Sequence, residues 1–468
     1  MLNYFPKYFS TRAIICYLVT LALVSVMFMK HALPFQFMLF GLVPVFVFFT
    51  YGNKLTMGWQ KYTNKTFTKK LFLTALMIRV VYVLFIYLYY IEMTGRPHGY
   101  YAGDELLYTY AGTLWREYGV AETARLMKEY RIDFSDSGYC WWIGLENLLL
   151  GTAVLPPRII KCFIDAFSCV LMYHLAKRNF GESVGRITGV FCMLMPNMWF
   201  YCGITLKETE MAFLTILFAE RADIVLRSPK IKVVSLIIPV LCILAMFTFR
   251  TALAAVMFAA LVAALIFSSN KQLELWKKIL YTSVFAAWMF ATVGVEIIQE
   301  TQELWEGRAA NQEVGYDWRA RSAGGNTFAK YASASLFAPA IFTIPFSSMV
   351  ATPGQENQMM MNGACFIKNI LSGLTLFALF TLLFSGEWRS HVLPITLLCG
   401  YLVVLVFSNF AHSERFHFPV LAFELMFAAY GVSQMKNKHK RWFMIWLVVI
   451  CLANVAWSWV KLAGRGLA

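Results

Sequence analysis

Two adjacent carboxylates open an amphipathic stretch, Gly103-Asp104-Glu105-Leu106-Leu107, which follows directly on the long apolar run from Leu71 to Met93. A carboxylate at the edge of a membrane can take the proton of an alcohol while that alcohol attacks an electrophile. Asp104 is the candidate base. Glu105, about 100° further round a helix, would orient Asp104 or bind acceptor hydroxyls. The same pair also suits a capped juxtamembrane helix, since acidic side chains offset the positive end of the helix dipole. Four basic residues, Arg158, Lys207, Arg250 and Arg415, stand at the ends of apolar runs on the side that holds Asp104. Taken singly each reads as a snorkelling residue; together they suit an anionic head group. A lipid phosphate leaving group is a weak base and needs positive charge, not a general acid. Asp136, Glu208, Glu414, His417, Arg319 and Arg321 lie in the neighbouring loops as candidate substrate contacts.

These residues must be held by membrane helices. Hydrophobic residues make up 59% of the 468-residue chain and charged ones 14%, with a mean hydropathy of +0.59. Repeated apolar runs match the bilayer core, so the fold class is an all-α polytopic membrane protein with about 13 transmembrane helices. Runs at 187–205, 209–226 and 279–298 are among the expected spans, whereas 329–347, broken by Pro339 and Pro345, suits a re-entrant segment. Lys and Arg cluster in alternate short loops, at 54–70, 177–186, 227–232, 271–278 and 436–441, which marks those loops and the N-terminus as cytoplasmic. The net charge of +15 is then a topology signal and no sign of nucleic acid.

Loops 94–157 and 299–365 fall on the opposite, external side, with amphipathic juxtamembrane helices expected in the first. The stretch from Asp133 to Trp142 reads as a turn rich in Asp, Ser and Gly. The chain divides into an accessory hairpin with a basic linker (1–70), a catalytic membrane module (71–298), the second external loop (299–365) and C-terminal helices (366–468). Arg79, inside the third span, is expected to snorkel to the cytoplasmic surface. The ten cysteines show no C-x-x-C spacing, so neither a disulfide framework nor a zinc site is indicated. Asp104 with Glu105 is compatible with a divalent cation, but nothing else in the chain completes an oxygen shell, and no cofactor is required.

The apolar span followed by Gly103-Asp104-Glu105, then Asp136-Ser-Gly-Tyr139, Pro157-Arg158, Phe180-Gly-Glu-Ser-Val-Gly-Arg186, Lys207-Glu208 and Glu414-Arg-Phe-His-Phe-Pro419, resembles the GT-C glycosyltransferases. The protein O-mannosyltransferases and the aminoarabinose transferase of lipid A are the most similar groups, over roughly residues 71–435. The resemblance implies a bacterial inner-membrane enzyme with its active site on the periplasmic side. Such an enzyme moves a sugar from a polyprenyl-phosphate donor to a glycan, lipid or protein hydroxyl with inversion. It also implies that Asp104 is the base and that Lys207, Arg250 and Arg415 meet the lipid phosphate. The two N-terminal spans and the lack of a large soluble domain after the membrane part depart from that pattern. Two other readings stay open. A polymerase or ligase of lipid-linked polysaccharide would use Arg319, Arg321, His412 and His417. A flippase or transporter would use mid-membrane Asp165, Glu296 or Glu424.

The charge asymmetry carries a labelling prediction. In a variant freed of reactive native cysteines, a cysteine at Ser135 labels with a membrane-impermeant thiol reagent and one at Asn437 does not.

Overall fold

The computed structural model describes residues 2–100, 102–129, 134–228, 233–267, 302, 340–408 and 411–467, with the backbone alone at 120–129, 134 and 233. In chain order the helices begin with α1 (Lys7–Met27), α2 (Phe35–Gly58), α3 (Asn64–Thr94), α4 (Gly103–Glu129), α5 (Phe134–Leu150), α6 (Leu155–Phe180), α7 (Glu182–Leu194) and α8 (Pro196–Phe200). They continue with α9 (Glu208–Arg227), α10 (Val233–Phe249), α11 (Thr251–Phe267), α12 (Glu356–Met360), α13 (Asn362–Ser385), α14 (Val392–Phe407), α15 (Glu414–Gln434) and α16 (His439–Ala463). Seven of the described helices, α1, α2, α3, α6, α13, α15 and α16, are long and apolar enough to cross a membrane. The protein is an integral, multi-pass, all-helical membrane protein. The expected span at 279–298, Glu296 and most of 329–347 lie outside the described residues; 340–347 is a buried irregular segment.

The outer face of α3 exposes Leu73, Met77, Val81, Leu84, Leu88 and Ile91, three or four residues apart, as a lipid-facing stripe. Its inner face carries Arg79, which corrects the snorkelling expectation. The side chain is fully buried; its Nε donates to Asp165, Nη1 to the carbonyls of Ala75 (3.1 Å) and Met193 (3.3 Å), and Nη2 to that of Cys192 (3.3 Å). A guanidinium this deep is held by a carboxylate 86 residues away and not by water. The expected continuous span at 187–205 is also corrected. Pro196 cannot supply the N–H that would continue α7, so the chain restarts as α8 and a short 3-10 turn, Tyr201–Gly203. At 13 residues α7 is only about 20 Å long. The break leaves residues 197–207 free to line the site end of the bundle.

The two ends of the bundle are distinct. At one end Arg186 donates to the carbonyls of Trp59, Gln60 and Tyr62, Gln60 reaches Asn3, and Arg227 reaches Ser390. The basic clusters near 60, 180 and 227 therefore gather at one pole. The opposite pole collects the starts of α4, α6, α9, α13 and α15 and the end of α16. The N-terminal hairpin is tied into that bundle: Tyr17 donates to Asn362 Oδ1 at 2.6 Å, and Ala32 bridges Val350.

The Arg79–Asp165 pair carries a stability prediction. Arg79→Met or Asp165→Asn alone leaves a buried group unpaired and costs about 3–5 kcal/mol, while Arg79→Met with Asp165→Leu recovers most of it. Thermal unfolding in detergent measures both.

Candidate active site

Helix α4 begins at Gly103, with Asp104 and Glu105 in its first turn, and its regular part ends at Gly119, whose φ of +75° suits glycine alone. Leu106, Leu107 and Tyr110 are exposed, whereas Leu114, further along the same face, is buried. The two carboxylates then part. Glu105 turns inward and is buried; Asp104 turns out, with a side chain 57% exposed.

Glu105 has both oxygens occupied. Its Oε1 accepts from Arg158 Nη2 (3.0 Å) and the Thr205 N–H (2.6 Å), and Oε2 from the Gly99 N–H (2.9 Å). Burial raises its pKa, but His98, Arg158 and the two backbone donors outweigh that and hold it below the usual carboxylate range. Arg158, in the proline-started first turns of α6, also binds the Pro97 carbonyl at 2.6 Å. One turn on, Lys161 donates to the carbonyls of Ile204 (3.1 Å) and Leu206. Successive turns of α6 thus clamp both the approach to α4 and the broken segment before α9. Glu105 and Arg158 both serve this clamp; Glu105 also reaches the wall of the cavity described below, and Arg158 does not.

Helix α5 starts at Phe134, so the expected turn at 133–142 is helical from there on. Asp136 in its first turn complements the dipole, and Gly138 lets α10 approach: a Cβ there would lie 2.1 Å from Thr248 Oγ1. That approach encloses Lys207, which donates to Asp136, to the Ser135 carbonyl (2.9 Å) and to the Phe249 carbonyl (2.5 Å). Tyr108 also donates to Asp136, at 2.9 Å. Burial and the Arg250 charge push the Lys207 pKa down, against the pull of Asp136. Asp136, raised by burial, is brought below its ordinary value by Lys207, Tyr108 and Arg250. The Arg250 guanidinium sits 4.4 Å from the Phe416 ring centre. Lys207, Arg250 and Arg415 are therefore neighbours, but Lys207 is spent on protein groups.

Arg415 bridges the two sides of the site. Its Nε pairs with Glu208, the first residue of α9, and its Nη1 with Asp104. Glu414 is held by Asn197 and by Tyr201 Oη (2.6 Å). A cavity of about 400 Å³ opens beside them, lined by Asp104, Glu105, Glu414 and Arg415 together with Tyr201, His412 and the end of α16. Arg158, Lys207, Arg250, Glu208, Asp136 and His417 are not on its lining. His417 is buried, with Nε2 at 2.7 Å from the Ala411 carbonyl and Nδ1 at 3.3 Å from Lys368, which removes it from the substrate contacts expected above. Arg319 and Arg321 lie outside the described residues. Among the described residues no group of three His, Cys, Asp or Glu is placed to hold a metal ion.

Residues 363–462 match the Alg9-like mannosyltransferase family. The matched stretch carries Glu414 and Arg415, and it agrees with the GT-C resemblance seen in the earlier motifs. The match spans 363–462 of the 468 residues and makes that part similar to a family of GT-C membrane glycosyltransferases that use a lipid-linked sugar donor. No curated protein and no solved structure matches the chain.

The Glu105 clamp carries a pH prediction. A carboxylate whose folded pKa is depressed stabilises the protein above its unfolded value of about 4.3, and that stability is lost as pH falls through the folded value. Glu105→Gln therefore lowers the unfolding temperature at pH 7 and flattens its decline below about pH 4.

Proposed function

We propose that the protein transfers a sugar from a polyprenyl-phosphate carrier to a hydroxyl acceptor on the external face of the membrane, with Asp104 as general base. One observation carries this reading: Asp104 is the exposed carboxylate on the cavity wall, while the adjacent Glu105 is fully engaged in the framework. The acceptor oxygen attacks the anomeric carbon and its proton passes to Asp104. The bond from that carbon to the phosphate oxygen breaks, and the electron pair leaves on the lipid phosphate. A single displacement inverts the anomeric centre. Arg415 holds Asp104 in place and offers positive charge beside the departing phosphate. The mannosyltransferase match favours a mannosyl group, and a glycan, lipid or protein hydroxyl is the acceptor class.

The positive-inside pattern supports an external site and a cytoplasmic N-terminus, because the basic loops share the pole away from Asp104. Of the residues a polysaccharide polymerase would use, His412 lines the cavity, His417 is enclosed, and Arg319 and Arg321 lie outside the described residues; of those a transporter would use, Asp165 is paired with Arg79 and Glu424 with Lys368.

Asp104→Asn keeps size and capping ability but cannot accept the proton, so transfer falls by roughly a hundredfold or more while donor binding persists. Transfer of a labelled sugar from a polyprenyl-phosphate donor in proteoliposomes measures it. Full activity in Asp104→Asn would refute the assignment.

A further inference from the structure

The cavity that holds Asp104 is also lined by the last turns of α16 and the residues just beyond: Trp457, Val460, Lys461, Gly464 and Arg465. None of the framework cations resembles the two found here. Arg158, Lys207 and Arg415 each contact a carboxylate. Lys461 is only 9% exposed, yet its ammonium meets neutral oxygens: Gln358 Oε1 (2.7 Å), Ser348 Oγ (2.9 Å) and Gln355 Oε1 (3.3 Å). Arg465, one turn on and on the same face, donates through Nη1 to the Lys461 carbonyl at 3.0 Å. Burial alone pushes its pKa down, with no carboxylate to offset it among the described residues. A guanidinium and a buried amine side by side without a counter-charge are costly to hold ionised together unless an anion joins them.

We propose that Lys461 and Arg465 form the seat of the lipid carrier's phosphate, on the wall of the same cavity that presents Asp104. The inference rests on the transfer reading above and relocates its phosphate site. A guanidinium offers a planar fork of donors that matches phosphate oxygens, and an ammonium adds a compact charge beside it. Gln355, Gln358 and Ser348 supply further donors, because an amide that now accepts from Lys461 also carries an NH₂ group. Apolar Phe346 and Val460 on the same lining suit the first carbons of a lipid chain. Arg415 is also on the lining but is already paired with Asp104 and Glu208, and Lys207, enclosed by Asp136 and two carbonyls, is not on it.

The test uses the full chain in lipid nanodiscs and three probes: a polyprenyl monophosphate, the uncharged polyprenol of the same length, and inorganic phosphate. Arg465→Gln and Lys461→Met are each expected to weaken polyprenyl monophosphate binding by roughly tenfold or more and to leave polyprenol binding unchanged. In transfer assays Arg465→Gln raises the donor KM. Wild-type affinity in the variants, or an equal loss for polyprenol, overturns the proposal. Inorganic phosphate binding as tightly as the lipid phosphate overturns the lipid source and marks a free-phosphate site. Lys461→Met loses three hydrogen bonds, so if it fails to fold, the more exposed Arg465→Gln decides. The two readings fail separately. Normal phosphate binding by Arg465→Gln with an inactive Asp104→Asn sinks this site alone, while an active Asp104→Asn sinks the transfer reading.

Discussion

The contact between Glu105 and Arg158 is the constraint from which the site follows. It takes the second of two neighbouring carboxylates out of solvent, binds it to α6, and ties it to the Gly99 and Thr205 N–H groups. Helical geometry then leaves Asp104 pointing elsewhere, because adjacent residues diverge by about 100°. Asp104 is thus left exposed because its neighbour is buried.

The same rule governs the other buried charges. Cations between the helices are expensive unless matched, and three in the described bundle are met by carboxylates: Arg79 by Asp165, Lys207 by Asp136, Arg415 by Glu208 and Asp104. The broken segment after α7 takes part in the same matching: its carbonyls accept from Lys161, and its Thr205 N–H donates to Glu105. Where irregular backbone lines a cavity or meets buried side chains, its polar groups are still satisfied. A rigid rim follows, in which Asp104 and Arg415 are presented by helix starts and not by free loops.

Much of this was legible in the chain. Apolar run length marked the long spans, and the helix at Gly103 with acidic residues in its first turn was read from capping chemistry. The pairing of charges was not, because partners such as Arg79 and Asp165, or Arg415 and Asp104, lie far apart in sequence. Local sequence also treats Asp104 and Glu105 alike; only the bundle separates them. Pro196 was visible, but the apolar run around it hid that a helix stops there. Nothing in the local sequence singles out Lys461 and Arg465, and only the cavity distinguishes them. An unaccompanied cation at a span end was the available signal, one that snorkelling explains equally well.

On the proposed mechanism transfer is a single displacement, in which Asp104 takes the acceptor's proton and never bonds to the sugar. Nuclear magnetic resonance of the first-formed product reports the anomeric configuration directly. Inversion relative to the polyprenyl-phosphate donor is the predicted result. Retention would require a second displacement through a glycosyl–enzyme bond, with Asp104 or another residue as nucleophile, and would contradict the account.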